Sequence, residues 1–445
     1  MSSRAGFAKI EITPPLAWMA TYGIGYWYER HVRFVGVRDP LFVRTLVRET
    51  ESGCQVVSSV DSILDSYLFV PQAVKRISEA FRIDEANIFV TCTHTHSSPM
   101  IGRNGTMEGA EYGPFVAERI AQSAFEAARR VEDCRVTIGT GQIENVLYNR
   151  RPVLKSGRIA ELHVALAPED VLDPGPVNRT MTLVKFQGAS GVLKGALCHF
   201  GIHGVAIQCS NLISSDCMGR AIQAVEGEMD QGAVLLHLNA PCGDIDPILM
   251  GDEAALDVMS RRLEVGITTT LQQPAPELKV PEKISVRSGV FRARRRETRS
   301  RSELQKKRTA LLAAAAEHVN ASHHSGSGYE AFLLSEEERV SELPGEIDIP
   351  YQILQWGRLA LLGVGGEIFT RQGLDLQSAF PNSILLPVGL TGGAAGYLPP
   401  TEAYGQGGYE VTCAQWCPVE AGEAERLFAH IRGDLQQALE GGFPA

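Results

Sequence analysis

The 445-residue chain is 44% apolar, which is enough to bury a large core and unlike a disordered polymer. Its 52 acidic against 42 basic residues leave a formal charge of -10, so it has no general field for phosphate backbones or anionic membrane surfaces, and nucleic acid is excluded as an expected partner. Nine irregularly spaced cysteines, an N-terminus without signal-peptide character and no uninterrupted apolar run of about 20 residues lead to the expectation of reduced thiols, no stable membrane insertion and a cytoplasmic protein.

Residues 6–13 and 42–49 alternate as strands do, and 55–61 is a third candidate that ends in polar groups. Val74, Ile77 and Ala80 then space an apolar stripe that predicts a helix over 71–81, with Pro71 in its first turn. The apolar run 88–92 predicts a strand whose outgoing end carries His94. An extended path onward would put His94 and His96 on one side. Residues 102–113 read as a glycine-rich, polar active-site loop and 115–131 as a helix. Further strands are expected at 135–139, 160–165, 182–186 and 195–203, the last presenting His199 and His203. A helix over 221–229 and a strand over 233–239 lead into the turn 240–247, where a Gly-Asp pair sits at a strand end.

The proline-rich connection 273–281 opens a more variable region. It contains the basic stretch 292–299, read as a solvated linker, a helix over 301–318 and a polar loop bearing His323 and His324, which is left out of the site. Apolar strands return at 353–354 and 359–364, Glu367 follows a Gly-Gly turn, and a final helix is expected over 419–439. No fixed-period repeat emerges.

The chemistry concentrates in two places, each an apolar run that ends by presenting imidazoles: Phe89 to His96 and Leu197 to His203. Either segment alone reads as an ordinary core histidine. Together they are what a buried zinc site needs, and a zinc hydrolase is the leading reading. Cys242, beside the Gly-Asp turn, is a second candidate as a thiol nucleophile.

Several ordered segments resemble the catalytic domain of the neutral/alkaline, non-lysosomal ceramidase family. They are the opening 5–15, His94-Thr-His96-Ser-Ser-Pro99, Asn149-Arg150-Arg151-Pro152, His199 to Gly204, the helix start around Asp216, Gly366-Glu367-Ile-Phe-Thr370, and the tyrosine-rich Gly396-Tyr397, Tyr404 and Gly408-Tyr409-Glu410. The resemblance implies an α/β fold with a mixed β-sheet core flanked by helices, and one catalytic domain over 1–445 with a variable insertion around 290–348. It also implies a Zn(2+) ion held by His94, His203, Glu367 and Tyr397, with His96, Arg150 and Tyr409 facing the substrate.

The chain departs from that family at Asp246, where relatives that cleave ceramide usually carry serine, and it is expected to do without their secretion signal and C-terminal immunoglobulin-like domain. A serine hydroxyl donates a hydrogen bond, whereas an ionised aspartate only accepts them and repels a developing oxyanion. Asp246 is left with four roles: binding an amine, accepting the water proton, recognising a sugar-like hydroxyl, or bracing a turn. The expected activity is therefore zinc-dependent hydrolysis of an amide in a small polar metabolite. The alternatives are ceramide or an N-acyl amine as substrate, a lactone or ester, and a noncatalytic metal- or ligand-binding protein.

Overall fold

The structure is a computed structural model and describes residues 3–15, 18, 23–24, 32–51, 53–63, 66–99, 111–160, 166–207, 210–229, 232–281, 285–315 and 327–440. Residues 102–110 of the loop expected at 102–113, residues 161–165 of the strand expected at 160–165, the helix end 316–318 and His323 with His324 lie outside the described residues.

Alternating apolar residues build the main sheet. Its strands are β1 (Ser3–Glu11), β2 (Phe42–Thr50), β3 (Gly53–Val60), β4 (Ile88–Cys92), β5 (Glu132–Gln142), β6 (Thr180–Gly188), β7 (Leu193–Phe200) and β8 (Val234–Asn239), in the order β8-β7-β6-β5-β1-β2-β3-β4. The central pairs are antiparallel, while β3 with β4 and β7 with β8 run parallel at the two edges. Each parallel pair is closed by a crossover helix, α1 (Ser66–Phe81) and α3 (Asp216–Glu228) respectively. The sheet curls until its edges meet: Ser59 Oγ on β3 donates to the His237 carbonyl on β8 at 2.5 Å. That curl is what lets the exits of β4 and β7 share one site.

One face of this sheet is covered by α1 and α2 (Tyr112–Arg129), whose Phe69, Ile77, Val116 and Ile120 pack on Val43, Val47 and Val90. Further along, α3 and α4 (Glu253–Gln272) cover Leu183, Phe200 and Leu235 with Ile222, Met259 and Leu263. The other face meets a second sheet of β9 (Ser285–Arg294), β10 (Glu346–Trp356), β11 (Leu359–Val364) and β12 (Ile384–Val388). Along β11, Leu359 and Leu361 point to the first sheet. Ala360, Leu362 and Val364 point the other way, into a layer closed by α7 (Thr370–Ala379) and α8 (Glu423–Glu440). The mixed β-sheet core flanked by helices is thus two packed sheets with helices on both outer faces.

Several elements differ from the sequence reading. Helix α1 starts at Ser66, so Pro71 lies inside it; Phe69 and Val70 upstream are themselves buried anchors that extend the helix. The basic stretch does not behave as a solvated linker. Arg294 lies in β9 and pairs with Glu423, while Arg299 pairs with Glu337 of α6 (Ser327–Glu342), which packs beside α5 (Arg301–Ala315). The final helix begins at Glu423 rather than 419 because Val419 is held in a β-bridge with Arg295. Among the described residues, no helix is long and apolar enough to cross a membrane.

Candidate metal-centred active site

Strand β4 ends at Cys92, and two residues later the chain turns sharply. His94 has φ +69°, the left-handed region that costs a non-glycine residue roughly 1–2 kcal/mol. The extended path expected from His94 to His96 is therefore not taken, and the imidazoles converge because the backbone turns. His94 N donating to Ser62 O at 2.9 Å and Thr93 N donating to Val60 O at 2.9 Å hold that turn. Against it lies the exit of β7: Thr95 bridges Gly204, and His96 N donates to Gly204 O at 2.9 Å. Only glycine fits there, since a Cβ on residue 204 would sit 2.4 Å from His94 O. Asn239, at the end of β8, stitches the two segments together. Its Nδ2 donates to Thr93 O (3.2 Å) and Ile202 O (3.1 Å), and its Oδ1 accepts from Ile202 N (3.1 Å).

The result is a buried cluster of His94, His96 and His203 whose ligand atoms lie within 4.8 Å of one another. His94 Nδ1 is 3.2 Å from Ile63 O and His203 Nδ1 is 3.2 Å from Cys242 O. Carbonyl oxygens only accept, so each Nδ1 carries the proton and each Nε2 presents a lone pair. Those Nε2 atoms face each other at 3.1 Å, and His96 Nε2 is 3.4 Å from that of His94. Burial pushes His203 well below the usual histidine range, with the Arg150 charge adding to it. His96 is pushed the same way by burial, then by His94 and Arg150. Neutral imidazoles with converging lone pairs are a cation site in all but the cation.

Glu367 reaches the cluster by a separate route. The short strand Glu367–Ile368 pairs in parallel with Tyr397–Leu398, placing Glu367 directly beside Tyr397. Its Oε2 stands 3.4 Å from His94 Nε2, is fully buried and has no hydrogen-bond donor among the described residues. A buried carboxylate oxygen without a donor is costly, and a cation in contact with it removes that cost. The residues present thus fit a divalent metal on two counts: the orphaned carboxylate oxygen and the facing nitrogens.

Beside this cluster lies Arg150. It follows the strand Leu147–Asn149, which pairs antiparallel with Ile245–Pro247, and its own N–H donates to Asp244 O at 2.9 Å. The guanidinium donates to Asp246 Oδ1 (3.0 Å), Gly243 O (3.0 Å) and Tyr397 Oη (2.9 Å), and its Nε lies 2.8 Å from Glu410 Oε1. Burial disfavours its charge, but Tyr397, Asp246, Glu410 and Glu367 outweigh this and hold it well above the usual arginine range. Asp244 braces the turn from beneath, accepting from Asn149 Nδ2 (2.8 Å) and from both the N–H and hydroxyl of Thr370 (2.7 Å each). Tyr409 packs edge-on against Tyr397, ring centroids 6.0 Å apart, and stacks on Trp416 at 4.9 Å.

The eight residues named from the sequence therefore fall in one region: His94, His96 and His203 form the imidazole cluster, Glu367 lies against His94, Arg150 links Asp246 to Tyr397, and Tyr397 packs on Tyr409. His96, expected on the substrate side, lies within the imidazole cluster itself. Asn239 and Glu410 received no role from the sequence, and Asp244 was noted only as part of the Gly-Asp turn. The only available signal was their place beside the chosen motifs. Cys242 is unsuited to nucleophilic attack, because burial pushes its thiol well above the usual range; its carbonyl orients His203 instead. His199 is a core histidine, bonded through Nε2 to Pro387 O at 2.7 Å.

Comparison with known proteins agrees with this geometry. Residues 4–261 match the family model described as neutral/alkaline non-lysosomal ceramidase, N-terminal. A neutral ceramidase of Pseudomonas aeruginosa is 29% identical over 178 residues, 37% of this chain and 25% of that protein. Neutral ceramidase A of Dictyostelium discoideum is 26% identical over 188 residues, 39% of this chain and again 25% of its relative. The matched stretch thus spans about a quarter of each relative's length. In fold, the chain is similar to the crystal structure of the Pseudomonas aeruginosa neutral ceramidase, with a TM-score of 0.73 and 19% identity over 100% of this chain and 75% of that one. A ceramidase complexed with C2 gives 0.73 at 18% identity, covering 100% of this chain and 76% of that one.

Proposed function

This chain belongs to the neutral/alkaline non-lysosomal ceramidase family, and from that premise we propose that it is a zinc-dependent hydrolase that cleaves an amide bond in a small polar substrate. The observation that carries the reading is the approach of the His94 and His203 Nε2 atoms to 3.1 Å, with Glu367 Oε2 3.4 Å from His94 Nε2 and without a hydrogen-bond donor among the described residues. His94, His203, Glu367 and Tyr397 would hold the ion. A zinc ion supplies Lewis acidity, polarising a carbonyl oxygen and acidifying water.

The remaining work falls to the protein's own groups. The carbonyls of Ile63 and Cys242 hold the two ligand imidazoles in the Nδ1–H tautomer. Neutral His96 would accept and return a proton, and the Tyr409 phenol would donate to an oxygen on which charge develops. Arg150 holds the Tyr397 oxygen and carries positive charge into a buried site. Asp246, at the position of the family's serine, supports the shift away from ceramide: it adds an acceptor and a negative charge where a donor is usual. A cytoplasmic site of action belongs to the same proposal and rests on the sequence alone. The treatment of 1–445 as one catalytic domain with an insertion near 290–348 belongs to it as well, and the pairing of β9 with β10 around α5 and α6 supports it.

The test is turnover. Metal-stripped protein, with and without added zinc, is offered ceramide, short N-acyl amines, polar amides, esters and lactones, and products are read by mass spectrometry. Zinc-restored cleavage of a polar amide is expected. Full activity of rigorously metal-free protein would overturn the mechanism. One bound zinc with no product across the whole panel would favour a noncatalytic binding protein.

A further inference from the structure

We infer that Glu410 is a positioning residue: it holds the Arg150 guanidinium in its working orientation and, through Arg151, locks the tyrosine-bearing segment 403–410 over the site. The inference rests on the hydrolase reading for its catalytic consequence but not for its geometry.

Arg150 meets a different partner at each nitrogen. Nη1 is on Asp246, Nη2 is on Gly243 O and Tyr397 Oη, and Nε has Glu410 Oε1 at 2.8 Å. Glu410 is thus the anion paired with the base of the planar fork, and it acts together with the hydrogen bonds on the two terminal nitrogens to fix the guanidinium in place. Its second oxygen accepts from Arg151 Nη1. Arg151 then reaches the backbone of the same segment, donating to Gly407 O at 2.8 Å and Ala403 O at 3.4 Å.

The packing there leaves no slack. Gly408 has φ +100°, and a Cβ on it would lie 2.8 Å from Arg151 Nη1. Glu410 is 1% exposed, and its two arginines, with Asp246, make a cluster of two cations and two anions whose charges balance. Asp246 and Glu410 thereby divide the work on Arg150: the first lies on the outgoing tip of the fork and the second on its base. Residue 409 faces Tyr397 while residue 410 turns to the arginines, so one short turn sets both the substrate-side phenol and the arginine beside it.

The experiment is a double-mutant cycle on the full zinc-loaded chain, comparing Glu410→Gln, Arg150→Gln and the double variant, with zinc content, kcat and KM read separately. Glu410→Gln should keep wild-type zinc stoichiometry and lose about 10- to 100-fold in kcat with a smaller change in KM. In the Arg150→Gln background it should cost less than about 3-fold. Glu410→Asp should recover part of the loss, and it carries the same cycle should the glutamine variant fail to fold. Equal fold-losses in both backgrounds, or a wild-type kcat for Glu410→Gln, would overturn the inference. A second arm needs no turnover: crystal structures of the wild type and Glu410→Gln should show the Arg150 guanidinium rotated and residues 403–410 displaced. An unmoved Arg150 overturns the inference even if no substrate is ever cleaved, whereas failure of the substrate panel with a rotated Arg150 counts against the hydrolase reading alone.

Discussion

Arg150 donates from Nη1 to Asp246 Oδ1 at 3.0 Å, so the fully buried Asp246 carboxylate is engaged by a buried arginine. This explains how a carboxylate is tolerated beside Glu367 and Glu410. An uncompensated third negative charge in the same buried volume would be strongly unfavourable, whereas a paired one is sustained.

The pairing makes Asp246→Asn the most informative substitution for substrate choice. The amide keeps one acceptor for Arg150 but removes the charge. Zinc stoichiometry should be unchanged, stability should fall by about 1–3 kcal/mol from weakening a buried pair, and turnover of polar amides should drop at least about 10-fold. Metal analysis with urea unfolding and kinetics on the same preparation checks all three. Loss of zinc from the folded variant would count Asp246 among the ligands instead.

Removing a proposed ligand should separate the metal from the fold. His203→Ala deletes a nitrogen that faces His94 Nε2 at 3.1 Å, and its zinc affinity should fall by at least about 100-fold, removing roughly 2.7 kcal/mol of ligand-linked stabilisation at zinc levels that saturate the wild type. Thermal melts with and without zinc read this directly: the wild type should shift and the variant should not. An equal shift in both would contradict the ligand assignment.

Gly204 tests the junction of the two histidine segments without touching an imidazole. Gly204→Ala drives a methyl into His94 O and the Thr95 backbone, both of which are rigid. We expect a loss of about 1–3 kcal/mol in stability and a weaker zinc site. Unchanged zinc affinity in calorimetry would mean that the segments can separate without moving the imidazoles.

A pH effect is expected away from the site, at Glu226. Burial alone would raise its carboxyl, but Arg44 and Lys9 outweigh burial and hold it below the usual glutamate range. As the pH falls through about 4.3 the unfolded chain takes up its proton first, so this contribution is fully present above that value and is lost as the pH falls through the lower, folded value. Glu226→Gln should therefore be much less stable than wild type at pH 7, and the gap should narrow in acid. A gap of the same size in urea titrations at pH 7 and pH 3.5 would show that the charge contributes nothing.

Much of the first sheet was legible because β1 and β2 alternate in sequence, β4 is a short apolar run after a helix, and α2 carries an apolar stripe that a helix must bury. The second sheet was harder. Strand β11 was expected over its full length and β10 only at 353–354, but β12 is a short, continuous apolar run without a period of two, and nothing local distinguishes such a run from a core helix. Helix α4 was missed although Asp252 caps it by accepting from Ala255 N at 2.8 Å. Its start follows directly on a turn motif that drew the reading elsewhere.

For the site, the residue types and their order in the chain were enough to select the histidines, Glu367, the tyrosines and Arg150, because few side chains can ligate a cation and these recur in a family's pattern. Which atoms meet was decided only by the fold. The left-handed turn at His94, the close approach at Gly204 and the amide of Asn239 depend on strands from opposite edges of a curled sheet. Arg151 and Glu410 meet across 259 positions. Periodicity reports which face of an element is buried. It carries no information about which distant element arrives there, and that is settled by the collective packing of both sheets.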